Sequence, residues 1–107
     1  MDQGLVQRHA DAHAQAVVDG NMDRALEDLT DAAKAGIGAV AGELPNPVKS
    51  AAVTSLTAES ADRYIALIRY AGDEKATTVR SIWEPVSGIP LITEATVAKV
   101  EATSATR

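Results

Sequence analysis

The chain has 107 residues, 46% apolar and 23% charged, with a net charge of −5, which is the balance of one ordinary globular domain and excludes global disorder. It contains no cysteine, so disulfides, thiolate metal sites and a cysteine nucleophile are excluded. The acidity lies in residues 1–45, with eight acids against three bases, while residues 46–107 hold seven of each. No cluster of Lys and Arg is available to displace counterions from phosphates, so nucleic acid is not an expected partner.

The opening "MDQGLVQRHADAH" has no basic start followed by an apolar stretch. No apolar run approaches the ~18 residues of a membrane span, so a cytoplasmic protein without membrane attachment is expected. Apolar positions Leu5, Val6, Ala12, Ala16 and Val17 recur at helical spacing, with His9 and His13 on the same stripe, which predicts an amphipathic helix. Gly20 suits its left-handed C-terminal cap. Asn21 is placed to cap a short helix over "MDRALEDL", and Thr30 to cap a third over "DAAKAGIGAVAG". Gly36 and Gly38 each weaken that third helix by up to ~1 kcal/mol relative to Ala, which predicts close packing against a neighbour. "LPNPV" at 44–48 ends the helical half, because two prolines this close cannot continue a helix.

After Pro47 the period changes to 2 and β-branched residues become common. "VKSAAVTSLT", "RYIALIRY", "ATTVRSIWE" and "IPLITEATV" read as four strands in an antiparallel meander. Turns are expected at "AESAD", at "AGDEK" with Gly72, and at a hairpin where Pro85 presets the turn and Gly88 supplies a positive φ if one is needed. Pro90 belongs at a strand start or an edge, since it cannot donate to the ladder. Residues 1–4 and 99–107 are expected to fray. The predicted fold class is α+β, a single domain over 1–107 with three N-terminal helices packed on a curved four-stranded antiparallel sheet.

Alternation puts Tyr64, Ala66, Ile68 and Tyr70 on one side of the second strand and Arg63, Ile65, Leu67 and Arg69 on the other. On the third strand Val79, Ser81 and Trp83 oppose Arg80, Ile82 and Glu84. The expected core face is Tyr64, Ile68, Tyr70, Val79 and Trp83. Ile65, Leu67 and Ile82, set among charges, form a face that a second protomer could cover, and a homodimer through the sheet is expected.

The helices-then-meander order and the closing segment Trp83, Glu84, Ser87, Gly88, Pro90 and Ile92 resemble the nuclear transport factor 2-like superfamily, the cone-shaped fold of the SnoaL-like and ketosteroid-isomerase-like families, also grouped as cystatin-like. The resemblance spans roughly residues 4–97, in a shortened version, because Leu26 to Glu43 reads as helix and turn where the family carries a strand. It implies a sheet wrapped around a helix-covered apolar pocket, dimers through the sheet, and members that include isomerases, dehydratases and cyclases as well as proteins without catalysis. Enzymes of that fold commonly use a buried Asp base of raised pKa, helped by Arg or by a Tyr donor.

The carboxylates are poorly placed for that role: Asp11, Asp19, Asp62 and Asp73 read as helix or turn, and Glu84 and Glu94 face away from the core set. His9 and His13, four apart on one helical face, have a spacing that can hold a metal or place an imidazole for acid–base work. No third ligand lies nearby in sequence, so neither a metal nor a cofactor is expected. Tyr64, Tyr70, Trp83, His9 and His13 are the candidate ligand-binding residues, with Tyr hydroxyls as orienting donors and His13 as the candidate catalytic group. The chain has 21 alanines, one Trp, two Tyr and no Phe, so these are also the scarce large residues of its core. The expected function is a small non-catalytic ligand-binding or assembly module, homodimeric. The alternative is an isomerase, dehydratase or cyclase acting on a small apolar substrate.

Overall fold

The computed structural model describes residues 1–103. Three helices, α1 (Gln3–Val18), α2 (Met22–Leu26) and α3 (Asp31–Ala41), precede four strands, β1 (Ser50–Ser60), β2 (Arg63–Ala71), β3 (Lys75–Val86) and β4 (Ile89–Ala102). The strands form one antiparallel sheet in sequence order. This is the expected α+β arrangement. No helix among the described residues is long and apolar enough to cross a membrane.

Local chemistry sets the helix ends. The Asp2 carboxylate accepts the Leu5 N–H at 2.8 Å, so α1 starts at Gln3 instead of fraying through residue 4. At the other end Gly20 has φ 74°, its N–H donates to Val17 O at 3.1 Å, and Asn21 N–H donates to Ala16 O at 2.9 Å. Those two bonds make a Schellman cap. Asn21 accepts from Arg24 N–H at 3.2 Å and Thr30 from Ala33 N–H at 3.2 Å, capping α2 and α3.

The close packing expected of Gly36 and Gly38 is absent. Both are exposed, and a Cβ built on either meets nothing within 4 Å. The glycines therefore cost helix stability without a packing return. Gly36→Ala and Gly38→Ala are each expected to stabilise the protein by about 0.5–1 kcal/mol, read as a rise in the urea midpoint with unchanged m-value; a fall would show a contact made by the bare backbone. Gly72 is the reverse case: its Cβ would lie 2.6 Å from Pro45 Cβ and 2.8 Å from Pro47 O, so the β2–β3 loop can approach the proline segment only without a side chain.

The β3–β4 hairpin differs in detail from its expectation. Ser87 and Gly88, at φ 52° and 80°, are the two turn residues, as in a type I′ turn. Pro85 does not make the turn but lies in β3 opposite Pro90. The β2–β3 ladder ends at Tyr64 and Trp83, two residues before Pro85, so its missing N–H removes no bond to that neighbour. Pro90 is the second residue of β4, an edge strand, where a lost donor is tolerated. The fraying expected from residue 99 is also corrected: β4 continues to Ala102, paired with Lys75, and Thr103 N–H donates to Glu74 O at 3.0 Å. The backbone of β3 extends that far, and ladder bonds need no apolar period. Residues 104–107 of that segment lie outside the described residues.

The core face is the expected one. Tyr64, Ala66, Ile68 and Tyr70 on β2, and Val79 and Trp83 on β3, are buried together with Val6, Ala10, Ala14 and Val17 of α1. The small residues of α1 let its backbone lie close over β1 and β2. On the opposite face Ile65 and Leu67 are half-buried and Ile82 is buried outside the main core, among ion pairs joining Arg63 to Glu59 and Glu84 and Arg69 to Glu101.

Candidate functional site

The chain between α2 and α3 is attached to the edge of the sheet. Ile92 N–H donates to Asp28 O at 2.6 Å, Thr30 N–H donates to Ile92 O at 3.0 Å, and Leu29 thereby forms an isolated parallel bridge with Ile92. This attachment carries the Asp28 side chain inward beneath α1, where it is buried. His13, on the inner face of α1, holds Asp28 Oδ2 through Nδ1 at 3.0 Å, and Arg24 Nη1 reaches the same oxygen at 3.0 Å. Arg24 stands one helical turn before Asp28, so a single short segment supplies both the carboxylate and one of its cations.

Burial pushes the Asp28 carboxyl up, but the hydrogen bonds and charges of His13 and Arg24 outweigh it and hold the group below its ordinary value. Asp28 is therefore a carboxylate at neutral pH, an acceptor and not a proton donor. Tyr70 is moved the other way: burial, with the Asp28 charge adding to it, raises its hydroxyl well above the ordinary tyrosine value, and it stays protonated. The Trp83 and His13 rings meet in a T-shaped arrangement, centroids 6.1 Å apart and planes at 83°. Its Nε1–H donates to Ser81 Oγ at 2.9 Å, and that hydroxyl donates to Ala66 O at 3.3 Å, so the indole is satisfied inside the core.

Between α2, α3 and the sheet is a cavity of about 50 Å³. At roughly 10–15 Å³ per water, this is room for a few water molecules or one molecule of a few heavy atoms. The wall is mostly apolar, with Leu26, Leu29, Ile37, Val40, Ile68 and Ile92 prominent; its polar side chains are His13, Tyr70 and Ser81. The Ser81 hydroxyl is engaged as described. Neither His13 Nε2 nor the Tyr70 hydroxyl has a hydrogen-bond partner among the described residues, and neither is among the sealed polar atoms left without one, of which only Thr103 Oγ1 is found.

Of the residues singled out from the sequence, His13 and Tyr70 are brought together in the cavity wall. Trp83 touches His13 from behind without lining the space, Tyr64 is buried in the core away from it, and His9 is half-exposed one turn back along α1. The sequence reading missed Asp28 and Arg24, and its statement that the carboxylates are poorly placed is corrected by Asp28. The i, i+4 spacing of Arg24 and Asp28, with Leu26 and Leu29 alongside, was the available signal. Asp28 is nonetheless not a raised-pKa base, because Arg24 and His13 keep it ionised. Among the described residues no three His, Asp or Glu side chains gather as metal ligands; the third member of this cluster is a guanidinium. The chain matches no protein-family model, no curated protein and no solved structure.

Proposed function

We propose that the protein is a cytoplasmic ligand-binding module, a shortened relative of the nuclear transport factor 2-like cone proteins, which holds a compact apolar molecule beneath its sheet without transforming it. The observation that carries this reading is an apolar cavity lined by Leu29, Ile37, Ile68 and Ile92 together with the polar residues His13 and Tyr70. Such a combination of apolar lining and few polar groups is the usual composition of a small-molecule site. The order of helices and meander supports the cone-type reading.

Titration with two compact probes on the scale of that cavity, methanol and xenon, followed by methyl NMR, is expected to shift Leu29, Ile37, Ile68 and Ile92. Ile37→Phe, which fills the space, is expected to abolish those shifts. Absence of shifts with both probes in the unaltered protein would overturn the reading. The half-buried Ile65 and Leu67 on the outer face support a homodimer there. Sedimentation is then expected to give twice the 11.1 kDa chain mass, with Leu67→Glu returning it to monomer; a monomer at micromolar concentration before mutation would remove the dimer.

A second reading, an isomerase, dehydratase or cyclase, is favoured by one observation. Asp28 fixes His13 through Nδ1, which is how a carboxylate orients an imidazole that acts as a base through Nε2. Deuterium uptake from D2O into butan-2-one, above the buffer rate and lost in His13→Gln, is the expected sign; no uptake above buffer would remove it.

A further inference from the structure

We propose that α3 is a strap over the cavity, fastened at both ends and weak in the middle, which unfolds and lifts from β4 while the sheet and α1 stay folded, and so gives entry to the space beneath it. What enters rests on the ligand-binding reading above; the opening itself is read from the fold alone.

The fastenings are hydrogen bonds to the sheet. Before α3, the Thr30 N–H donates to Ile92 O at 3.0 Å and the Ile92 N–H donates to Asp28 O at 2.6 Å. After it, the Thr77 hydroxyl donates to Glu43 O at 2.6 Å. Between these points α3 packs chiefly on β4, an edge strand, and its hold there is slight. Of its 11 residues only Ala33 and Val40 are buried and Ile37 is half-buried; the rest are exposed.

The backbone is weak where the packing is thin. Gly36 and Gly38 stand in the middle of the helix, exposed, with open space where a Cβ would be, and each lowers helix stability relative to alanine. A helix this short is marginal by itself in water and relies on its packed face. Under that face is the cavity of about 50 Å³, bounded by Ile37, Val40 and Leu44 on the strap side and by Ile68, Val79 and Ile92 on the sheet side. Apolar atoms that border a gap lack partners across it, so lifting α3 forfeits less than lifting a close-packed helix. By contrast α1 buries Val6, Ala10, Ala14, Ala16 and Val17, and β2 has a strand on each side. Segments with few buried apolar contacts and exposed backbone bonds are the ones that open below the free energy of global unfolding.

The test is native-state hydrogen exchange on the whole chain, without ligand. Amides of α3 from Ala35 to Ala41 are expected to exchange, relative to their intrinsic rates, about 100-fold faster than those of β2, with a weaker dependence on urea because less surface is exposed. Gly36→Ala combined with Gly38→Ala should slow α3 exchange by about tenfold. Val6→Ala, in the core but outside the cavity wall, should speed β2 exchange by about tenfold or more and leave that of α3 unchanged. Entry is read separately. The chain has no cysteine, so Val79→Cys places a single thiol on the sheet side of the cavity, and its alkylation by iodoacetamide is expected to follow α3 opening, about 100-fold ahead of β2 opening. Exchange of α3 and β2 at one free energy and one urea slope, or alkylation only as fast as β2 opens, would overturn the strap while leaving the cavity a ligand site.

Discussion

Trp83→Ala is expected to lower the unfolding free energy by about 4 kcal/mol, the largest effect of any single core truncation in this chain. Trp83 is fully buried and is the only tryptophan in a protein without phenylalanine. The α1 residues of the same core include Ala10, Ala14 and Ala16, which have no length with which to close a gap. The cavity penalty therefore adds almost undiminished to the lost transfer free energy. A stability of 5–15 kcal/mol is usual for a domain, so this loss consumes a large part of the total. Urea unfolding followed by far-UV circular dichroism measures it, since the variant has no tryptophan fluorescence. Trp83→Phe is expected to cost about half as much, because it keeps most of the volume but leaves Ser81 Oγ without the indole donor. A loss below about 2 kcal/mol for the alanine variant would mean that the core closes around the gap.

Asp28→Ala is expected to destabilise by about 3 kcal/mol, the scale for removing one partner from a buried ion pair. The carboxylate is the common acceptor for His13 and Arg24; without it the nearly buried His13 loses its partner, while Arg24, more than a third exposed, can turn to water. The effect has a pH signature with a definite sign. Because the folded-state pKa of Asp28 is held below its ordinary value, the unfolded chain binds that proton more readily than the folded one. The stability it contributes is complete above the ordinary carboxylate value of about 3.9 and is lost as pH falls through the lowered folded value. The wild-type protein should therefore lose stability on acidification below about pH 4, and Asp28→Asn should show a flatter acid limb over the same range. Equal slopes for the two proteins, from urea midpoints at several acidic pH values, would show that the carboxylate is not linked to folding.

Much of the architecture could be read from local pattern. The stripe through Val6 and Val17 identified α1, Gly20 and Asn21 marked where it stops and where α2 begins, and the alternation from Arg63 to Tyr70 assigned every β2 side chain to its face. These are short-range signals, so each follows from neighbours a few residues away. The departures have equally local causes. Gly36 and Gly38 suggested a packed backbone, but no element of the sheet passes near that face of α3. Pro85 resembled a turn former, yet Ser87 and Gly88 already supplied the two positive φ angles that the hairpin requires. The last residues of β4 lacked an apolar period, but β3 gave them a ladder.

The site was legible only in part. His13 and Tyr70 could be nominated from helical and strand periodicity, and both line the cavity. Asp28 could not, because its burial depends on the bridge between Leu29 and Ile92, more than sixty residues apart. The sequence by itself determined the element order, the helix caps and the core face, since propensity, capping and side-chain period act within a few residues. Only the tertiary structure decided that a turn carboxylate meets a helix histidine under the sheet and that a gap remains beside them. Both depend on how non-adjacent elements dock, which one-dimensional periodicity does not encode.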